Sequence, residues 1–383
     1  MIKWGCLLPF PNDDTFAFWL LSVTAICGEL PSDALALSCH SLKYTRQVIY
    51  HLIKTGYMRV YYQDKIRGYR LTAKSKTALL EKYPHRYSAF LTGCVETNQI
   101  KNTPTRRCRL HSLAEVYLMM TAGGASVFPD EKPAVFSGDS NRSQLINSAI
   151  FYSSREMKRL DKEDTIKLSG SRMAGLLLTP KNVYITYNSR KELLDLDYRY
   201  EQRCHTLLTE SLCSKLLYKQ YKPEHICGLM FANDHSILRD ILQSASTNQR
   251  NYFLLDGDYD HFYYLTTDHH GITLLKLMCD PKIQNSLDKV LRQDLSFPKK
   301  KVQFDCDGID RNGAPVLFGY FMDIPRISRF CTHLWRHKTK GVIICFDFQR
   351  DVLASFVENK AIIQAISFDK FERSFFPSEN ANS

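Results

Sequence analysis

The chain lacks most of the signatures that announce an enzyme. It contains no GxxxxGK[ST] phosphate loop, no HExxH, no GxSxG and no GxGxxG. That sets aside P-loop nucleotide hydrolysis, helix-borne zinc proteolysis, nucleophile-elbow hydrolysis and the dinucleotide fingerprint. Twelve cysteines are present, yet no two are separated by two residues, so zinc-knuckle and thioredoxin-like spacings are missing. Cys27, Cys227 and Cys345 sit in apolar surroundings, which reads as buried, reduced thiols of a cytoplasmic protein rather than a disulfide framework. No long hydrophobic run occurs: Phe16 to Cys27 is too short to cross a bilayer. The first fourteen residues, with one lysine, two prolines and two acids, do not read as a signal peptide. No membrane partner is expected, and there is neither an internal repeat nor a low-complexity tract.

What is present is a chain of 383 residues, 44% hydrophobic and 24% charged. This suits two or three globular domains and excludes a disordered or fibrous chain. The net charge of +11 is unevenly placed. Between His40 and Leu110 stand fifteen Lys/Arg against Asp64, Glu81 and Glu96, a net of +12, while the remainder sums to −1. The basicity belongs to one region, and it points that region toward an anionic partner.

Local patterns there predict an ordered series of elements. Asp14 or Thr15 can cap a helix ending at Gly28, and a short helix spans Asp33 to Leu37. Ser41 caps a third helix, Leu42 to Lys54, with Thr45, Ile49 and Leu52 inward and Lys43, Tyr44 and Gln47 outward. Thr55-Gly56 ends it. Two strands, Tyr57 to Tyr62 and Tyr69 to Thr72, flank a basic loop, and Ala73 to Lys82 is helical again.

That order resembles the winged helix-turn-helix domain of DNA-binding proteins. The stretches that carry the likeness are Ile53-Lys54-Thr55-Gly56-Tyr57 and, after the basic hairpin, Tyr69-Arg70-Leu71-Thr72-Ala73-Lys74. Ser75 stands where such domains usually have glycine. The resemblance implies that the third helix reads duplex DNA, with Ser41, Lys43, Tyr44, Arg46 and Gln47 toward the groove. Arg59, Lys65, Arg67 and Arg70 of the hairpin, with Lys74, add phosphate contacts, and Arg106 and Arg107 extend them from a basic arm. The same charges also fit an ordinary solvated face or a protein-binding module. The expected layout is a winged helix over 1–90, a basic linker or arm over 91–112, and a mixed α/β (or α+β) domain over 113–383, with two lobes conceivable.

From Pro133 onward strands and helices alternate, with strands expected at Tyr252 to Leu255, Ile272 to Met278 and Gly341 to Phe346 and helices at Ser140 to Asn147 and Arg190 to Leu217 among them. The large domain offers weaker chemistry. Asp256, Asp258, Asp260 and His261, then Asp268-His269-His270-Gly271, then Asp305, Asp307 and Asp310 all read as polar turns rather than cation loops. No metal site or cofactor is assigned. Asp347, at the end of an apolar strand, is the one weak catalytic candidate: a carboxylate there can hold Mg²⁺ in a nuclease if a second acid lies one strand away. The acid-x-lysine triplet of such sites is missing, so the domain reads as nuclease-like but degenerate, with a Mg²⁺-dependent DNA nuclease or nicking enzyme as the alternative. Ser169 to Gly175 leads into a hairpin turned by Pro180-Lys181-Asn182, and Glu201 follows in a helix. Together with the front domain, this order resembles the replication-relaxation family of mobile-element proteins. The likeness implies a DNA-binding accessory role on a plasmid, phage or integrative element, in replication, transfer or transcription control. It marks Ser171, Arg172, Gly175 and Glu201, with Arg172 and Glu201 as a structural pair. A homodimer on palindromic DNA and a protein partner for the C-terminal domain are further expectations.

Overall fold

In the computed structural model, which describes residues 9–136, 145–157, 168, 170–194, 196–244, 259–296, 305–357 and 360–377, the first helix begins where the Thr15 hydroxyl accepts the Phe18 amide. This helix, α1, spans Phe16–Cys27 and stops at Gly28, whose φ of 86° suits a residue without a Cβ. There follow β1 (Leu30–Pro31), a 3₁₀ turn at Ala34–Leu37, α2 (Leu42–Lys54), β2 (Met58–Gln63), β3 (Ile66–Leu71), α3 (Ala73–Lys82), α4 (Pro84–Leu91) and α5 (Pro104–Ala122). The three strands form one antiparallel sheet in the order β1-β3-β2. These elements make up the first of two compact units, Met1–Pro133; the second is Ala134–Ser383.

The first unit extends further than the sequence suggested. The segment 91–112 does not end as a free arm. α5 starts at Pro104, and Arg107, Leu110, His111 and every residue from Leu113 to Met120 are buried along it. Arg107, expected to reach phosphate, is fully enclosed, and Arg70 is only 4% exposed. Both corrections have one cause. Glu29, itself fully buried, accepts hydrogen bonds from Arg70 Nε (2.7 Å), Arg107 Nη2 (2.5 Å) and His111 Nε2 (2.8 Å). Arg107 also donates to the Gln63 and Ile66 carbonyls at the end of the hairpin, and the Arg70 guanidinium lies 3.6 Å from the Tyr61 ring centre. A buried guanidinium without such partners would cost several kcal/mol. Gly68 completes the arrangement, because a Cβ there would collide with the Glu29 carboxylate.

The second unit holds two sheets. One has the order β4-β5-β6-β7-β8: β4 (Ile150–Ser153), β5 (Gly175–Leu178) and β6 (Val183–Arg190) are antiparallel, while β7 (Ile226–Ala232) and β8 (Phe262–Thr266) continue in parallel. The other has the order β12-β11-β10-β9, built from β9 (Gly308–Ile309), β10 (Pro315–Phe318), β11 (Gly341–Phe346) and β12 (Ala361–Ile366). One hydrophobic core, including Ile185 and Met230 from the first sheet and Leu317 and Ile343 from the second, joins them without a break into lobes. The whole is a mixed α/β protein. Helices are α6 (Ser154–Met157), α7 (Tyr198–Glu210), α8 (Ser236–Ser244), α9 (His269–Cys279), α10 (Pro281–Leu291), α11 (Ile324–His337), α12 (Arg350–Val357) and α13 (Phe368–Phe375). Two expectations fail here. The run Ile272 to Met278, apolar enough for a strand, is helical because the Asp268 side chain accepts the Gly271 amide (2.9 Å) and caps α9. The helix expected from Arg190 begins only at Tyr198, since β6 runs on to Arg190. The strand expected at Tyr252 to Leu255, most of the helix expected at Ser140 to Asn147, and the acids Asp256 and Asp258 lie outside the described residues. Among the described residues, no helix is long and apolar enough to cross a membrane.

Burial pushes the Glu29 carboxyl upward, but the hydrogen bonds from His111, Arg107 and Arg70 outweigh it and hold the group at about 2, against an ordinary 4.5. Its folded value is depressed, so its contribution is complete above pH 4.5 and is lost as pH falls toward about 2. The loss amounts to about 3 kcal/mol. Acid titration of unfolding free energy should show this slope in the parent protein. Glu29→Gln should be less stable at neutral pH by about 3–5 kcal/mol and lack the slope.

Candidate nucleic-acid interface

α2 begins at Ser41, whose hydroxyl accepts the Tyr44 amide (3.3 Å). Its buried stripe is Thr45, Ile49 and Leu52. The 3.6-residue period then places Lys43, Arg46, Gln47 and Tyr50 on the outer side, and all four are exposed. Tyr50 is 68% exposed. It was legible from its spacing, seven residues after Lys43, but was not picked out. Tyr44 is partly engaged: it stacks on Phe16 (ring centres 5.8 Å apart) and meets His40 edge-on.

The hairpin register sorts the basic residues of the loop. Arg59 stands opposite Arg70 and Tyr62 opposite Arg67. Alternation along a strand therefore puts Arg59 and Arg70 on one face and Arg67 on the other. The turn is the two-residue Asp64-Lys65, with φ of 52° and 60°. Both central residues of such a tight turn need positive φ, which aspartate tolerates and lysine does not favour. Lys65 is exposed at this tip. Lys74 is exposed too, but its ammonium lies 4.0 Å from the Tyr57 ring centre and donates to the Thr55 carbonyl (3.3 Å) at the end of α2.

A charge account separates structural from available cations. Arg70 and Arg107 are answered by Glu29, Arg86 by Asp130 and Glu131, Lys82 by Asp13, and Arg106 and Arg109 by Glu96. Arg106 is half exposed and 3.8 Å from its acid, so that pair is worth little. Among the described residues, Lys74, Lys76 and Lys101 have no carboxylate partner, and neither do Lys43, Arg46, Lys54, Arg59, Lys65 and Arg67. The last six lie on α2 or the hairpin.

The candidates of the second unit resolve into structural contacts. Glu201 is fully buried and pairs with Arg172, but through the backbone: its Oε1 accepts the Arg172 amide (2.6 Å), while Ser171 and Tyr187 hydroxyls donate to Oε2. Burial raises the Glu201 carboxyl above its ordinary value despite these bonds. Asp347 follows β11 as expected, yet its carboxylate accepts the amides of Phe348 (2.9 Å) and Phe368 (3.3 Å), tying the strand end to α13. The flanking strands β10 and β12 carry no acid beside it. Asp305 and Asp307 are both held by Arg326, and Asp310 accepts the Asn312 and Ala314 amides of its own turn. A contact the sequence did not suggest joins His261 Nδ1 to Asp323 (2.6 Å), and that bond raises the imidazole's pKa. No group of three His, Cys, Asp or Glu able to hold a metal occurs among the described residues.

No family model, curated protein or solved structure matches the chain.

The strained lysine gives a direct test. Lys65→Gly should raise unfolding free energy by about 1 kcal/mol by relieving the left-handed conformation. A denaturant midpoint series checks this. Should the midpoint stay put or fall, the turn is not strained.

Proposed function

We propose that this chain binds double-stranded DNA through a winged helix-turn-helix in its N-terminal unit and serves as an accessory or regulatory protein of a mobile element. The single observation that carries the reading is the gathering of six cations without carboxylate partners on one helix and the hairpin after it. A duplex rewards such a surface by releasing counterions, and a helix fits its major groove. In this reading α2 enters the groove: Gln47 pairs with adenine, Lys43 and Arg46 reach guanine or phosphate, and Ser41 fixes the helix start. Lys65 and Arg67 reach phosphates from the hairpin, and Arg59 from its other face. Arg70 and Arg107 take no part, since Glu29 holds both. The order of elements supports the winged-helix assignment, and the two-unit layout supports a division between DNA contact and dimer or partner contact.

One observation favours a second reading, protein docking. Leu42, Tyr44 and Tyr50 on α2 and Val60 and Tyr62 on β2 are all exposed, and aromatic side chains are common at the centres of protein interfaces. Salt separates the two.

Duplex affinity, followed by fluorescence anisotropy, should fall linearly on a log–log plot against salt. Lys43→Ala combined with Arg67→Ala should lower that slope by about two. Affinity indifferent to salt and to both substitutions overturns the DNA reading. In a second assay, supercoiled plasmid with Mg²⁺ or Mn²⁺ should remain uncut. Cleavage that disappears in Asp347→Ala would instead make the chain a nuclease.

A further inference from the structure

A small polar cleft, about 70 Å³, opens between the hairpin, α3 and the 97–100 segment, lined by Thr24, Gly28, Arg59, Arg70, Lys76 and Asn98 among others. The geometry points to this cleft as a binding site for one phosphate-type oxyanion, held by Arg59 and Lys76, with Arg70, bonded to Glu29 and Asn102, lining it behind them.

Three observations lead there. First, Arg59 and Arg70 stand directly opposite each other across β2 and β3. Like charges at such a cross-strand pair repel; Glu29 answers Arg70, while Arg59 has no carboxylate partner among the described residues. Second, Lys76 comes in from α3 and its ammonium donates only to neutral acceptors, the Asn98 carbonyl (2.8 Å) and side-chain Oδ1 (2.7 Å). Burial, together with the charges of Arg59 and Arg70, pulls its pKa below the ordinary lysine value. Third, the local charge does not close. Arg59, Arg70, Lys76 and Arg107 share one carboxylate, Glu29, already bonded to Arg70, Arg107 and His111. Half-buried positive charge of this kind is stabilised by an anion, and a guanidinium from β2 with an ammonium from α3 suits a tetrahedral oxyanion. The cleft has room for a phosphate group. It is separate from the outer face of α2, and of the six cations behind the DNA reading it shares only Arg59.

The test is calorimetric titration of inorganic phosphate into the full chain at low ionic strength. One site per chain with millimolar or tighter affinity is expected, with a matching rise in melting temperature. Lys76→Met and Arg59→Gln should each weaken it at least about tenfold. Arg59 is exposed, so Arg59→Gln keeps the test valid if Lys76→Met folds poorly. Absence of heat and of a melting shift overturns the site, as does phosphate binding of equal strength in folded variants. Two arms identify the source of the phosphate. If a DNA backbone supplies it, inorganic phosphate competes with a duplex and Lys76→Met lowers the duplex salt slope by about one. If a free phosphomonoester supplies it, a 5′-mononucleotide competes with inorganic phosphate while duplex affinity, or its absence, is unchanged.

Discussion

The carboxylate of Glu29, sealed from solvent between α1 and β1, is bonded to Arg70 of β3 and to Arg107 and His111 of α5. These partners lie 41, 78 and 82 residues further along the chain. Because an ion in that position must be answered completely, the hairpin, the first helix and the last helix are held in one relation. Gly68 is the packing consequence: the carboxylate occupies the space a side chain would need. The unit's extent follows as well, since α5 belongs to the N-terminal unit through the ions it delivers to Glu29 as much as through its apolar face.

That same constraint divides the basic region. A net of +12 over seventy-one residues suggests a uniformly cationic surface, yet its members do different work. Arg70 and Arg107 are internal counter-ions, Arg86 closes on Asp130 and Glu131, and Lys82 on Asp13. The cations left on α2 and the hairpin carry the proposal of duplex binding. Arg59, shared with that proposal, and Lys76 lie on the Glu29 side of the sheet and carry the proposal of an oxyanion cleft. Neutralisation, more than exposure alone, is what sorts the cations.

In the second unit, carboxylates that invite a catalytic interpretation serve the backbone. Glu201 collects the Arg172 amide and two hydroxyls beneath the β5–β6 hairpin, and Asp347 receives two amides at the end of β11. Asp268 caps a helix, while Asp305 and Asp307 share Arg326. An acid at the end of a strand gains as much from unpaired amides nearby as from a metal, and here the amides are in place.

Periodicity and local punctuation were enough to place α1, the helix from Leu42 to Lys54, the basic hairpin and the strand Gly341 to Phe346, because caps, glycine stops and alternation act within a few residues. The outer face of α2 was legible for the same reason, Tyr50 included. The Ile272 to Met278 run was not, since a short apolar stretch fits strand and helix alike until Asp268 caps it. Composition and spacing by themselves determined a mixed α/β chain whose positive charge sits in its first third. Only the tertiary structure decided which of those charges face solvent. Burial of an arginine depends on a carboxylate brought near by folding, and Glu29 is 78 residues from Arg107, far beyond the reach of any local pattern.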